Sequence, residues 1–156
     1  MIRRTRLLDR TRQDRDATLF LVAVEGERTE PEYLRALEER NLVPRHRVKI
    51  HVLPPTDGAS APVHVLGAAE DAASQVLLRR DDEVWLVFDV DARSGSGRER
   101  QVIQVSEDAA RRGWNVAVSN PCFELWFLLH VRDDAAGVTE QCQSVRSQLR
   151  EMLGGY

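Results

Sequence analysis

An apolar run, Val84-Trp85-Leu86-Val87-Phe88, stops on two acids separated by one residue, Asp89 and Asp91. A short Val-rich segment with aromatics, preceded by the polar stretch 79–83, has the pattern of a strand buried on both faces, as in a parallel sheet. Its C-terminal end is then the edge where open α/β sheets bind ligands. Side chains alternate along an extended chain, so Asp89 and Asp91 point the same way if the strand continues through Val90. Two carboxylates aimed together suit a magnesium ion.

A second apolar run, Thr18 to Val24, ends on Glu25-Gly26-Glu27. If the two strands are neighbours, about 4.8 Å apart, Glu25 joins Asp89 and Asp91 at one edge. Three carboxylates within ~5 Å repel by up to ~3 kcal/mol per pair at an effective dielectric near 20, so a cation or protonation must relieve them. Magnesium, with manganese as a substitute, takes one or two carboxylates plus water and phosphate, which leaves one acid for proton transfer. A lone Asp at a strand end is ordinary turn chemistry. Two buried-type strands ending on acid at one edge point to a metal site.

The elements that must position these acids follow in order. A helix enters near Thr29-Glu30-Pro31 and stops near Asn41. Arg47 to Leu53 alternates polar and apolar, the pattern of an edge strand with one wet face. A helix from about Pro62 to Arg80 carries Val65, Leu66, Ala69, Ala73, Val76 and Leu77 inward. After the polar loop 93–98 another helix runs from about Arg98 to Arg112, with Gly113 as its C-cap. Trp114 to Ser119 forms a fourth strand, Pro121 opens a strongly apolar helix to about Val131, and an amphipathic helix spans about Val138 to Leu153. Strands alternating with helices define a doubly wound α/β domain with a mainly parallel four-stranded sheet flanked by helices. Neither a Walker phosphate loop nor a dinucleotide-binding glycine pattern is present.

The 156 residues, 42% hydrophobic, suit one domain of residues 17–156 behind a basic arm, residues 1–16. That arm holds six Arg against three Asp, while the whole chain carries a formal charge of −3. It reads either as a phosphate-contacting arm or as a solvated or partner-binding terminus. Cys122 and Cys142 show neither zinc spacing nor a disulfide framework, and with no signal-peptide pattern or bilayer-length apolar stretch the expected setting is reducing, cytoplasmic and free of membrane.

Around the acids, Arg93 and Arg98 are candidates to hold an anionic backbone. Asn120 suits either a phosphate or a helix cap. Glu30 in a first helical turn matches dipole complementation as well as a site role. Glu124, in an apolar helix, needs a metal or a cationic partner such as Arg. Cys122 is read as structural, since no nearby base would activate it. His130 lies six residues on, off the face of Glu124, and fits a hydrogen-bonded helix end better than a co-ligand.

Residues 24–33 (Val-Glu-Gly-Glu-Arg-Thr-Glu-Pro-Glu-Tyr), 88–91 (Phe-Asp-Val-Asp) and 119–130 (Ser-Asn-Pro-Cys-Phe-Glu-Leu-Trp-Phe-Leu-Leu-His) resemble, in order, three signature blocks of the RloB-like family. That resemblance implies a Toprim-like fold, an association with phage defence and restriction systems, Glu25 as general acid or base, and Asp89 and Asp91 as the metal pair. It also implies that a C-terminal helical element follows in longer family members. The reading that results is a magnesium-dependent nuclease acting on RNA or DNA. The alternatives are a non-catalytic nucleotide- or nucleic-acid-binding module of a defence complex, and an interaction protein whose helix 122–131 forms a homodimer interface.

Overall fold

The computed structural model describes residues 16–53, 55, 61–90, 96–134, 136–138 and 141–154. Asp91, Arg93 and all of the basic arm except Asp16 lie outside them. Four strands, β1 (Thr18–Val24), β2 (Val48–Leu53), β3 (Glu83–Asp89) and β4 (Asn115–Ser119), alternate with α1 (Thr29–Glu39), α2 (Pro62–Gln75) and α3 (Ser96–Arg111), and α4 (Glu124–Val131) and α5 (Cys142–Leu153) follow. Every strand pair is parallel, in the order β2-β1-β3-β4. The all-parallel sheet with helices on both faces is consistent with a Toprim-like doubly wound fold.

The two continuous apolar runs, β1 and β3, are the central strands, because only a strand covered on both faces is driven by burial to be apolar throughout. On one face Leu21, Ala23, Leu86 and Phe88 pack against Val65, Leu66 and Ala69 of α2 and Val102, Val105 and Ala109 of α3. Full burial of a residue such as Phe88 or Leu86 contributes about 1.5–3 kcal/mol. On the other face Val22, Val24 and Val87 meet Tyr33 and Leu34 of α1 and Phe123 and Phe127 beside and within α4. Cover there is partial. A groove of about 600 Å³ remains open between α1 and α4, lined by Phe20, Val22, Ile50, Trp85, Val87 and Trp126 among others, and none of the acids faces it.

Several elements differ from the sequence reading. Helix α2 ends at Gln75 rather than Arg80: Val76 is extended (φ −114°, ψ 138°) and Leu77, expected in the core, is 90% exposed. The connection is instead tied down by Asp82, whose carboxylate accepts from the N–H groups of Leu19 (2.8 Å) and Arg79 (2.7 Å). Helix α4 begins at Glu124, after a cis Asn120–Pro121 bond, and α5 begins at Cys142 rather than Val138. Gly113 does close α3, at φ +72°, a region that favours glycine.

The cysteines, read as unbonded, are joined: Cys122 and Cys142 form a disulfide across 20 positions. It ties the start of α5 to the turn that leads into α4, where Leu128, Val145 and Leu149 share a small buried cluster with Cys122. Closing a loop of that length stabilises the fold by about 3 kcal/mol in the chain-entropy model. Cys142→Ser, or wild type under dithiothreitol, should lose stability of that order in urea unfolding; a loss below about 1 kcal/mol would show that the bridge is not formed.

Candidate functional site

The acids gather because β1 and β3 are neighbours. Val24 lies opposite Val87, and the ladder runs on past the strand ends, with Glu25 N–H donating to Val87 O at 3.1 Å and Val90 N–H to Ser119 O at 2.8 Å. Glu25 Oε2 in turn accepts the Asp89 N–H at 3.2 Å. Asp89 lies in line with Trp85 and Val87, on the α1/α4 face, as strand alternation requires. There it comes within electrostatic reach of Glu30, Glu25 and Glu124.

Glu30 sits in the first turn of α1, yet it is 5% exposed, far more buried than a carboxylate that merely complements a helix dipole. Its Oε1 accepts the Gly26 N–H at 3.1 Å, which folds the side chain back over the turn after β1. A Cβ on Gly26 would lie 2.0 Å from Glu30 Oε2, so glycine is what permits this approach.

Two arginines neutralise two of the four acids. Arg98, in the first turns of α3, holds both oxygens of Glu25 at 2.6 and 2.5 Å and also donates to the Asp89 carbonyl from Nε (3.1 Å) and Nη2 (2.8 Å). Arg146 of α5 holds Glu124 at 2.7–2.8 Å, the Arg pairing that an otherwise apolar helix calls for. Among the described residues no cation pairs with Asp89 or Glu30, and Asp89 Oδ1 is buried without a hydrogen-bond partner.

The electrostatic consequence is large. Burial, then the Glu30 charge, push the Asp89 carboxyl up to about 7, with Glu25 and Glu124 adding to the rise and the Phe123 backbone N–H opposing it. Burial raises Glu30 as well, with Glu124 and Glu25 contributing and backbone hydrogen bonds working against them. An orphaned buried carboxylate oxygen costs about 1–3 kcal/mol, and protonation or a bound cation removes that penalty. All the donors are hard oxygens, which fits magnesium or manganese and not a thiophilic metal. Asp89 and Glu30 are the two of these acids that Arg98 and Arg146 leave without a cationic partner among the described residues.

The other candidates lie apart from this core. Asn120 is exposed at the end of β4. His130 is at the far end of α4, where Nδ1 contacts Trp126 O (2.8 Å) and Nε2 contacts Tyr33 Oη (3.3 Å), the helix-end role expected of it. Cys122, Cys142 and Glu124 bring ligand atoms within 4.8 Å of one another, but the sulfurs are bonded to each other and the carboxylate to Arg146.

Fold and site together define a parallel α/β protein with a cluster of four carboxylates, two of them paired with arginine, at the C-terminal edge of its central strands. A family model for RloB-like proteins matches residues 20–156, and the chain belongs to that family. No curated protein and no solved structure matches it.

The Asp89 environment carries a pH signature. Between about pH 4 and 7 the unfolded chain has released this proton while the folded chain retains it, so the group's contribution to stability falls as pH rises through that window. Under EDTA, Asp89→Asn should gain on wild type between pH 5 and pH 8 by at least one pKa unit's worth, about 1.4 kcal/mol. Parallel stability curves for the two proteins would contradict the assignment.

Proposed function

We infer that this protein is a magnesium- or manganese-dependent nuclease of Toprim type that hydrolyses phosphodiester bonds in RNA or DNA, acting in bacterial phage defence. The observation that carries the reading is Asp89 Oδ1, buried and unpartnered among further carboxylates at the ligand-binding edge of the sheet. Such a constellation is destabilising for the apo fold, and a bound cation would relieve it.

Asp89 and Glu30 would hold the ion, with Asp91 two residues beyond Asp89 in sequence. A bound divalent cation would supply Lewis-acid polarisation of the scissile phosphate and a more acidic water. Glu25, whose carboxylate accepts from the Asp89 N–H and pairs with Arg98, would accept a proton from the attacking water or return one to the leaving oxygen. Arg98 supplies a guanidinium suited to bidentate phosphate contact, and Arg93, Asn120 and the basic arm are further candidates to bind the backbone.

The apolar groove favours a second reading, a binding module that docks on a defence-complex partner or on a second copy. Trp126, Leu129, Val131 and Val118 leave apolar surface exposed on or near that side. Cleavage separates the two readings. Purified protein with magnesium or manganese should cut labelled single-stranded or duplex nucleic acid, and Asp89→Asn or Glu25→Gln should each lower the rate by about 10²-fold or more. Metal-dependent binding without turnover would favour the module, and cleavage that survives both substitutions would place the chemistry elsewhere.

Gly26→Ala gives a gentler probe. The three atoms nearest the added methyl all belong to the Glu30 carboxylate, the far end of a flexible side chain, so the fold should survive within about 1 kcal/mol while the carboxylate is displaced. Manganese affinity, read by calorimetry, should drop about tenfold; an unchanged affinity would remove Glu30 from the ion's coordination.

A further inference from the structure

The corner where α5 meets the turn before α4 gathers a different set of metal-binding atoms. Cys122 Sγ, Cys142 Sγ and a Glu124 carboxylate oxygen all lie within 4.8 Å of one another, with Cys122 and Glu124 buried and Cys142 half-buried. No short cysteine spacing of the zinc-finger kind brings them together; the docking of α5 on α4 does, through the buried Leu128, Val145 and Leu149. Neither that apolar contact nor the Arg146–Glu124 pair is made by the sulfur–sulfur bond, so they hold the same three side chains together once the bond is reduced.

The distances suit a tetrahedral ion. With Zn–S about 2.3 Å and Zn–O about 2.0 Å, the sulfur–oxygen edge of the tetrahedron is about 3.5 Å long. Cys142 Sγ lies 3.6 Å from Glu124 Oε2. The sulfur–sulfur edge is about 3.8 Å, which the two side chains reach by rotation from Cα atoms 5.6 Å apart. Arg146 occupies the other oxygen, Oε1, from Nε at 2.8 Å and Nη2 at 2.7 Å, an outer-shell contact that orients a ligating carboxylate without blocking Oε2. Charge closes as well: two thiolates and a carboxylate against a divalent ion leave one negative charge, and the Arg146 guanidinium offsets it.

We propose that Cys122, Cys142 and Glu124 form a zinc site in the reduced protein, with Arg146 orienting the carboxylate and a water in the fourth position on the half-buried Cys142 side. A dithiol gives two electrons and two protons to the bond between the cysteines and closes to its own disulfide. The zinc ion then takes the place of both thiol protons, which leave to solvent. Soft thiolates select zinc over magnesium, so this site and the hard-oxygen cluster at Asp89 do not compete for one ion. Helix α5 is thereby tied to the turn before α4 in both redox states, by a covalent bond in one and by the metal in the other. None of this depends on the nuclease reading of the Asp89 cluster.

Cobalt(II), a spectroscopic stand-in for zinc, tests it on the full chain reduced with a phosphine and desalted under argon. Thiolate ligation to cobalt gives a near-ultraviolet charge-transfer band, whereas an ion held by carboxylates at Asp89 and Glu30 gives none. The reduced protein should develop that band to saturation at one cobalt per chain and lose it when zinc is added; the oxidised protein should show none. Cys142→Ser should about halve the band at saturation and weaken binding by about 100-fold or more. Glu124→Gln should keep the band at saturation but weaken binding by about tenfold or more. Glu124→Asp, which keeps the charge opposite Arg146 and withdraws the oxygen, serves if the Gln variant does not fold. Zinc should also raise the urea midpoint of reduced wild type and leave that of reduced Cys142→Ser in place. A reduced wild type without the band, or a band that Cys142→Ser does not alter, would overturn the proposal. Cobalt affinity unchanged by the Glu124 substitution would overturn it too, since the ion would then sit on a pair of thiolates alone.

Discussion

Charge imbalance at the end of β1 and β3 is the constraint on which the rest of the site depends. Four carboxylates, Glu25, Glu30, Asp89 and Glu124, interact across one edge of the sheet, and among the described residues two guanidiniums answer them. The shortfall falls on Asp89 and Glu30, the two whose carboxyls are pushed up. A fold under selection for stability alone would bury Asn or Gln there at less cost. The arrangement makes sense as a site that is completed by something positively charged.

The scaffold concentrates this imbalance with few parts. Parallel pairing of β1 with β3 fixes Val24 opposite Val87, and from that register the contact of Glu25 with the Asp89 backbone follows. Gly26 lets the chain turn tightly enough for Glu30 to fold back, and α4 starts close enough for the Phe123 N–H to act on Asp89. The disulfide and the Arg146–Glu124 pair then anchor α5 to that same corner. Buried apolar packing on the α2/α3 face supplies rigidity, while the α1/α4 face stays partly open.

Much of this was legible in the residues. β1 and β3 could be recognised as central strands because burial on both faces leaves an unbroken apolar run, and β2 as an edge strand because one wet face leaves alternation. The convergence of Glu25 and Asp89 hung on β1 and β3 being neighbours, a condition that the sequence left open and the sheet order supplies. The commitment of Arg98 to Glu25, 73 positions away, was not legible, since a basic residue near acids in sequence carries no information on which oxygen it will face. Glu30 looked like ordinary helix-start chemistry until tertiary packing buried it. The early end of α2 was hidden because Val76 and Leu77 continue the apolar period that the backbone abandons. A bridge between two cysteines 20 positions apart likewise depends on helix docking that no local pattern encodes.

Proton release on metal binding measures the central claim most directly. With the Asp89 carboxyl at about 7, roughly half a proton should leave the protein for each ion bound at pH 7, visible as a buffer-dependent enthalpy when manganese is titrated in buffers of different ionisation heat. The account predicts saturable binding with that release, lost in Asp89→Asn. Binding with no proton release, or identical titrations of wild type and Asp89→Asn, would show that this pocket is not where the cation goes.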